Sequence, residues 1–259
     1  MNPWTQLSVD FANQRNYLDE LFSVYPTIPE GIREINQTTW NRIEHAFNEN
    51  DNDILLKLLL KLDLFPIKDS YIAYLKRDPS SIDRNPQTVN RISGRLHEMG
   101  LTKIQERCTE PKETNRQIGP LFRRWIQRNV IGVPLLPLSE FRRTTDNAIL
   151  DIGDAALMNY ARQHHNYTRD KGLDLIARFN GNIILGEAKF LTDFGGHQNA
   201  QFADGISTLR AEVNNAQIIG IYDGVCYIRG NNKMYKFFDD FPDFNIMSAL
   251  VLREFLYQI

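Results

Sequence analysis

Between Gly172 and Phe190 the chain reads GLDLIARFNGNIILGEAKF. Asn180-Gly181 sits between two apolar runs, the strongest short-range sign of a two-residue hairpin turn. A loop of those two residues fixes the register. Phe179 faces Asn182, Arg178 faces Ile183, Ala177 faces Ile184 and Ile176 faces Leu185. Carried two steps further, Asp174 faces Glu187. Opposed residues of an antiparallel pair bring their Cβ atoms to about 4.5–5.5 Å. Side chains alternate along a strand, so Lys189 shares a face with Glu187.

Two carboxylates and an ammonium therefore converge at the end of a hairpin. Like charges directly opposed destabilise a sheet, so the pair calls for a counter-charge. A divalent cation supplies one. Mg²⁺ is a hard ion held by one or two carboxylates together with water and substrate phosphates. A lysine beside it can orient or deprotonate a water, provided its neighbours lower its pKa. The other reading is an ordinary surface hairpin with a Glu/Lys pair on its wet face.

Asp174, followed by Glu187-Ala188-Lys189, resembles the PD-(D/E)xK motif of the nuclease superfamily to which type II restriction endonucleases belong. Leu173 stands where the motif name has proline. The resemblance covers residues 113–228. It implies an α/β fold with a restriction-endonuclease-like core, a central mixed β-sheet flanked by helices. It also implies Mg²⁺-dependent, sequence-specific hydrolysis of phosphodiester bonds in double-stranded DNA. Asp174 and Glu187 would ligate the metal, the Ala188 carbonyl would be a third ligand, and Lys189 would help activate the attacking water. In some such families an acid on the helix before the hairpin completes the site; Glu113 is the candidate here, and Arg116 can contact a phosphate. A homodimer is implied as well, and so is a cognate DNA methyltransferase in the same system. Two other classes stay open: a structure-directed repair nuclease or junction resolvase with the same core, and a non-catalytic DNA-binding protein.

The chain has 259 residues, enough for one large domain or two small ones. At 42% hydrophobic and 24% charged, its composition is that of a globular protein. No run is long enough to span a membrane, and Cys108 and Cys226 form no metal or disulfide framework. A reducing, cytoplasmic location is the expectation. The formal charge of −2 hides an asymmetry: residues 84–143 carry twelve Lys/Arg against five Glu. Such a basic band suggests a face for a polyanion.

Upstream, residues 5–24 read as one amphipathic helix, broken by the prolines at 26 and 29. Helices are expected over 38–47 and 54–62, with short pieces at 71–76 and 79–83. The best-marked one has Asn85 as N-cap, Pro86 as its first residue, a buried stripe of Val89, Ile92, Leu96 and Met99, and Gly100 as its end. Arg91 and Arg95 lie on the opposite face. The set suggests a helix-turn-helix or winged-helix unit whose third helix would enter the major groove, and the other reading is a bundle helix with a wet basic face. A domain boundary is expected in the polar stretch 102–117. This divides the chain into a helical N-terminal region, 1–110, and a nuclease domain, 111–259.

Residues 130–138 read as an edge strand or loop, and 151–165 as a helix. His164 and His165 are adjacent on it and point about 100° apart, so they make a poor chelate. After Lys189 comes LTDFGGHQNAQF, whose Gln198, Asn199 and Gln201 could bond an adenine edge or simply cap a helix running to about 213. A strand over 216–222 then completes a β-α-β crossover. Asp223-Gly224 is expected to turn it into a second hairpin ending near 228. The aromatic-rich tail is expected to end in a helix over 247–257.

Overall fold

The computed structural model describes residues 1–14, 16–26, 33–111 and 118–259. Its chain divides into two compact units. One joins Met1–Thr27 to Thr114–Ile259; the other is Ile28–Glu113. The first helices, which the sequence reading placed with the rest of the N-terminal region, pack in the larger unit.

That unit is built on a six-stranded mixed sheet flanked by helices, and its strands lie side by side in sequence order. They are β1 (Leu135–Leu136), β2 (Ala148–Leu150), β3 (Leu175–Phe179), β4 (Asn182–Leu191), β5 (Gln217–Gly224) and β6 (Ile246–Met247). The pairs β2–β3 and β3–β4 are antiparallel. The pairs β1–β2, β4–β5 and β5–β6 are parallel. The helix Gly196–Leu209 carries the chain from β4 to β5, as a parallel pair requires.

Both faces of the sheet are covered, which is why its central strands are apolar on both sides. Leu175, Ala177 and Phe179 of β3 share one core with Ile184 and Ala188 of β4. The helix Ile118–Gln127 packs into that core with Phe122 and Trp125, whereas Phe202 of the helix Gly196–Leu209 packs on Tyr222, which pairs with Lys189 and so lies on the other side. Ile176 and Leu185 face the other way, against Phe141, Leu157 and Ala161. No helix among the described residues is long and apolar enough to cross a membrane.

The smaller unit is helical throughout its described residues. Trp40, Ile43, Leu55, Leu59, Val89, Ile92 and Leu96 form its centre. The helix Pro86–Met99 has the expected bounds and buried stripe, although Asn85 makes no side-chain cap bond.

Four expectations are corrected. The single helix over 5–24 is two helices, Pro3–Ala12 and Tyr17–Val24. The Asn13 side chain donates to the Val9 carbonyl at 2.6 Å, taking an acceptor that ends the first helix. The stretch 102–117 is not wholly a linker, because Leu101–Cys108 is a helix. Only Ile104 and Cys108 mark its buried stripe, too thin a pattern to read. The second hairpin is absent. After Gly224 the chain makes a short 3₁₀ turn, Val225–Tyr227. Both edges of β5 are already taken, by β4 and β6, so no return strand can pair with it. Finally, the last helix is Leu252–Gln258, because Ile246 and Met247 extend into β6.

Candidate active site

Asn180 and Gly181 take φ of +50° and +83°, the pair of left-handed residues that a type I′ turn needs. The register follows: Phe179 pairs with Asn182, Arg178 with Ile183, Ala177 with Ile184 and Ile176 with Leu185. The ladder continues to Leu175–Gly186 and stops there. Asp174 lies one residue beyond it. Its N–H donates to the Gly186 carbonyl at 2.9 Å, and its Oδ2 accepts from the Ala188 N–H at 2.8 Å. In an extended strand a residue's N–H and C=O point to the same side, so the Ala188 carbonyl is aimed past the end of β3 as well.

Glu187 is 1% exposed, and neither of its oxygens receives a well-directed hydrogen bond. Two ammonium groups crowd Oε1 instead: Lys189 Nζ at 2.8 Å and Lys171 Nζ at 2.6 Å. Lys171 also contacts Asp204 Oδ2, and Lys189 lies 3.6 Å from the same atom. Burial pushes the Glu187 carboxyl up, but the Lys189 and Lys171 charges outweigh it and hold the group below its ordinary range. Asp174 has less compensation. Its burial, with Glu187 and Asp154 nearby, raises it to about 6 despite the Ala188 hydrogen bond. Burial lowers Lys171.

Lys171, Asp174, Glu187, Ala188 and Lys189 line an open cavity of about 330 Å³, together with Ile118, Gly119, Asp154, Gly172, Phe190 and Gln201. Gly119 is there for room. A Cβ at that position would come 2.8 Å from Asp174 Oδ1, closer than real side chains approach. The cavity therefore offers the carboxylates of Asp174, Glu187 and Asp154, the last paired with Arg123, and a backbone carbonyl, all hard oxygen donors. Glu187 is buried and short of hydrogen bonds, as a ligand waiting for a cation would be. This donor set fits Mg²⁺, which keeps several waters and takes few protein ligands. Among the described residues, no group of three or more His, Cys, Asp or Glu is arranged to hold a metal ion.

Of the other expected site residues, Gln201 lines the cavity and touches His197 at 3.0 Å. Gln198 turns inward and accepts from the Thr192 N–H at 3.2 Å, and Asn199 donates to the Phe194 carbonyl at 2.7 Å. Both pin the loop that leaves β4. Arg91 and Arg95 belong to the smaller unit, where both face the Asp69 carboxylate. Glu113 and Arg116 lie outside the described residues. His165 is buried with Nδ1 3.2 Å from the Asn214 carbonyl oxygen, and His164 meets Arg142, so the pair is split between two neighbours.

Lys171, Asp204 and Asp154 were not anticipated. Lys171 precedes Asp174 by three residues, a closeness the sequence displays. Asp204 comes from the crossover helix and Asp154 opens the helix Asp154–His165, and only the tertiary fold brings them in.

Neither the curated proteins nor the solved structures compared with this chain give a match. The sequence model of the family described as Tsp45I type II restriction enzyme matches residues 2–259, nearly the whole chain. The protein thus belongs to that family, and is a type II restriction endonuclease, a site-specific deoxyribonuclease acting on double-stranded DNA.

Proposed function

We propose that the cavity at the end of the β3–β4 hairpin is the active centre, that its core is of the PD-(D/E)xK type, and that cleavage depends on Mg²⁺. The observation that supports this best is the buried, hydrogen-bond-poor Glu187 beside Asp174 and Lys189. Asp174, Glu187 and the Ala188 carbonyl would hold the ion. Bound there, Mg²⁺ would polarise the scissile phosphate and offset charge growing on the leaving oxygen. Lys189 Nζ would help activate the attacking water by orienting it. The Ala188 N–H fixes the rotamer of Asp174 through Oδ2. Gln201, which lines the cavity, would contact the DNA beside the cleaved bond.

Arg91 and Arg95 would serve as DNA contacts of the smaller unit, held by Asp69. A homodimer would match the two-fold symmetry of a palindromic site. A methyltransferase protecting host DNA would accompany the enzyme in the cytoplasm. Family membership favours sequence-directed cleavage over a repair nuclease or an inactive binding protein.

The test is cleavage of long unmethylated DNA with and without Mg²⁺, by the wild type and by Asp174→Ala and Lys189→Ala. Discrete Mg²⁺-dependent fragments from the wild type alone are expected. Discrete fragments from Lys189→Ala at the wild-type rate would remove Lys189 from its role.

A further inference from the structure

Glu187 Oε1 is shared by two ammonium groups, and they are not equivalent. Lys189 sits on β4, fixed by its pairing with Tyr222 of β5. Lys171 sits in the irregular segment before β3, next to Gly172. Its Nζ also contacts Asp204 Oδ2, more closely than Lys189 does at 3.6 Å. Asp204 is itself clamped. Arg169 donates to Asp204 Oδ1 at 3.0 Å, to the Asp204 carbonyl at 2.7 Å and to Thr208 Oγ1 at 2.7 Å. Asp204 is therefore a fixed counter-charge with one oxygen turned to the lysines.

A divalent cation on Glu187 would have to sit about 2.0–2.1 Å from a carboxylate oxygen. With Lys171 at 2.6 Å from Oε1, the ion and the ammonium would compete for one small carboxylate and repel each other. A buried carboxylate with no cation at all is also costly. Lys171 resolves both demands by having two places to go.

We propose that Lys171 is the internal competitor of the catalytic metal: it neutralises Glu187 before the ion arrives and withdraws onto Asp204 when the ion binds. The inference rests on the reading of Glu187 as a metal ligand. It makes Lys171 and Asp204 positioning residues for the ion. It also predicts effects of opposite sign at two neighbouring charges. Ion and lysine weaken each other's hold on Glu187 by the same factor, as linked binding requires.

The experiment is Mn²⁺ binding to the whole protein without DNA, followed by the loss of the free-ion EPR signal. Lys171→Ala is expected to bind Mn²⁺ at least about fivefold more tightly than wild type, a modest coupling by the usual measure. Asp204→Asn is expected to bind more weakly, because Lys171 then has only Glu187 to sit on. In the double variant the Asp204→Asn effect should largely vanish. Lys171→Gln, of similar length and neutral, should behave like Lys171→Ala and serves if the alanine variant does not fold. Unchanged or weaker binding in the Lys171 variants overturns the proposal. So does an Asp204→Asn effect that persists in full without Lys171, since it would then act through the general field or Lys189. Glu187→Gln separates the two levels. If it leaves Mn²⁺ binding intact, the metal site itself is misplaced; if it abolishes binding while Lys171→Ala changes nothing, only the competitor role fails.

Discussion

Two buried acids stand on neighbouring strands, Glu187 on β4 and Asp223 on β5, and they are treated in opposite ways. Asp223 is fully buried and its carboxylate accepts from four donors: Tyr17 Oη at 3.3 Å, Tyr25 Oη at 3.1 Å, Ser248 Oγ at 2.5 Å and the Ala249 N–H at 3.1 Å. It ties both ends of the second helix and the end of β6 to β5. Glu187 is as deeply buried, and its partners are two ammonium groups crowded on one oxygen and the Thr208 hydroxyl. Burial of a carboxylate therefore does not mark a site in this protein. What differs is the set of partners: a fixed network of four donors holds Asp223, as buried polar groups in structural networks are held, while Glu187 meets flexible lysines beside an opening.

The sharpest way to break this contrast is to neutralise each acid in turn. Lys189→Ala should reduce cleavage by about 10²–10⁴-fold, the usual worth of a group that helps activate the attacking water. Glu187→Gln should lose at least as much, with urea-unfolding stability within about 1 kcal/mol of wild type, since its partner lysines keep Asp204. Asp223→Asn should do the reverse. An amide nitrogen would face donors where an oxygen now accepts, leaving about 2–4 kcal/mol less stability. Plasmid cleavage and urea melts on the same preparations check both halves. A stable, inactive Asp223→Asn, or an unfolded Glu187→Gln, would exchange the two roles.

Gly119→Ala sharpens the same contrast at a smaller scale. In a helix this change ordinarily favours folding by about 1 kcal/mol. Here the new methyl would strike Asp174 Oδ1. Cleavage should fall by about 10–10²-fold, as misplacement of a reacting group by an ångström does, while stability moves little. Full activity in this variant would mean that Asp174 does not need its observed position.

The hairpin was legible because its information is local. Asn180-Gly181 fixes the turn, the turn fixes the register, and the register brings Asp174 and Glu187 to one end. The mixed sheet followed from the crossover through the helix Gly196–Leu209. What the sequence hid was set by distant partners. Asp223-Gly224 looks like a turn, and only the neighbours β4 and β6 show that no hairpin can form there. Gln198 and Asn199 look free to read DNA, and only the path of the loop shows them spent on the Thr192 and Phe194 backbone. Lys171 was visible three residues before Asp174. Its meaning depends on Asp204, which the crossover helix brings in from thirty-three residues away.

pH separates the two acids more finely. Burial raises Asp174 to about 6 and Asp223 to about 7, the latter against the pull of its four donors. A carboxyl raised in the folded state favours folding most when protonated. Each contribution is thus complete below the ordinary carboxylate value near 4 and is lost as pH rises through the folded value. Over this window both acids give the same sign in stability, which falls between about pH 4 and 7. Metal binding distinguishes them, since a ligand must be ionised to bind. Mn²⁺ affinity should hold above pH 6 and drop by up to about tenfold per unit below it, as one proton competes with the ion. Asp223→Asn should flatten the stability profile and leave the bend in Mn²⁺ affinity near 6. A bend that moves with Asp223 would mean that the buried network, and not Asp174, governs the charge at the ion's place.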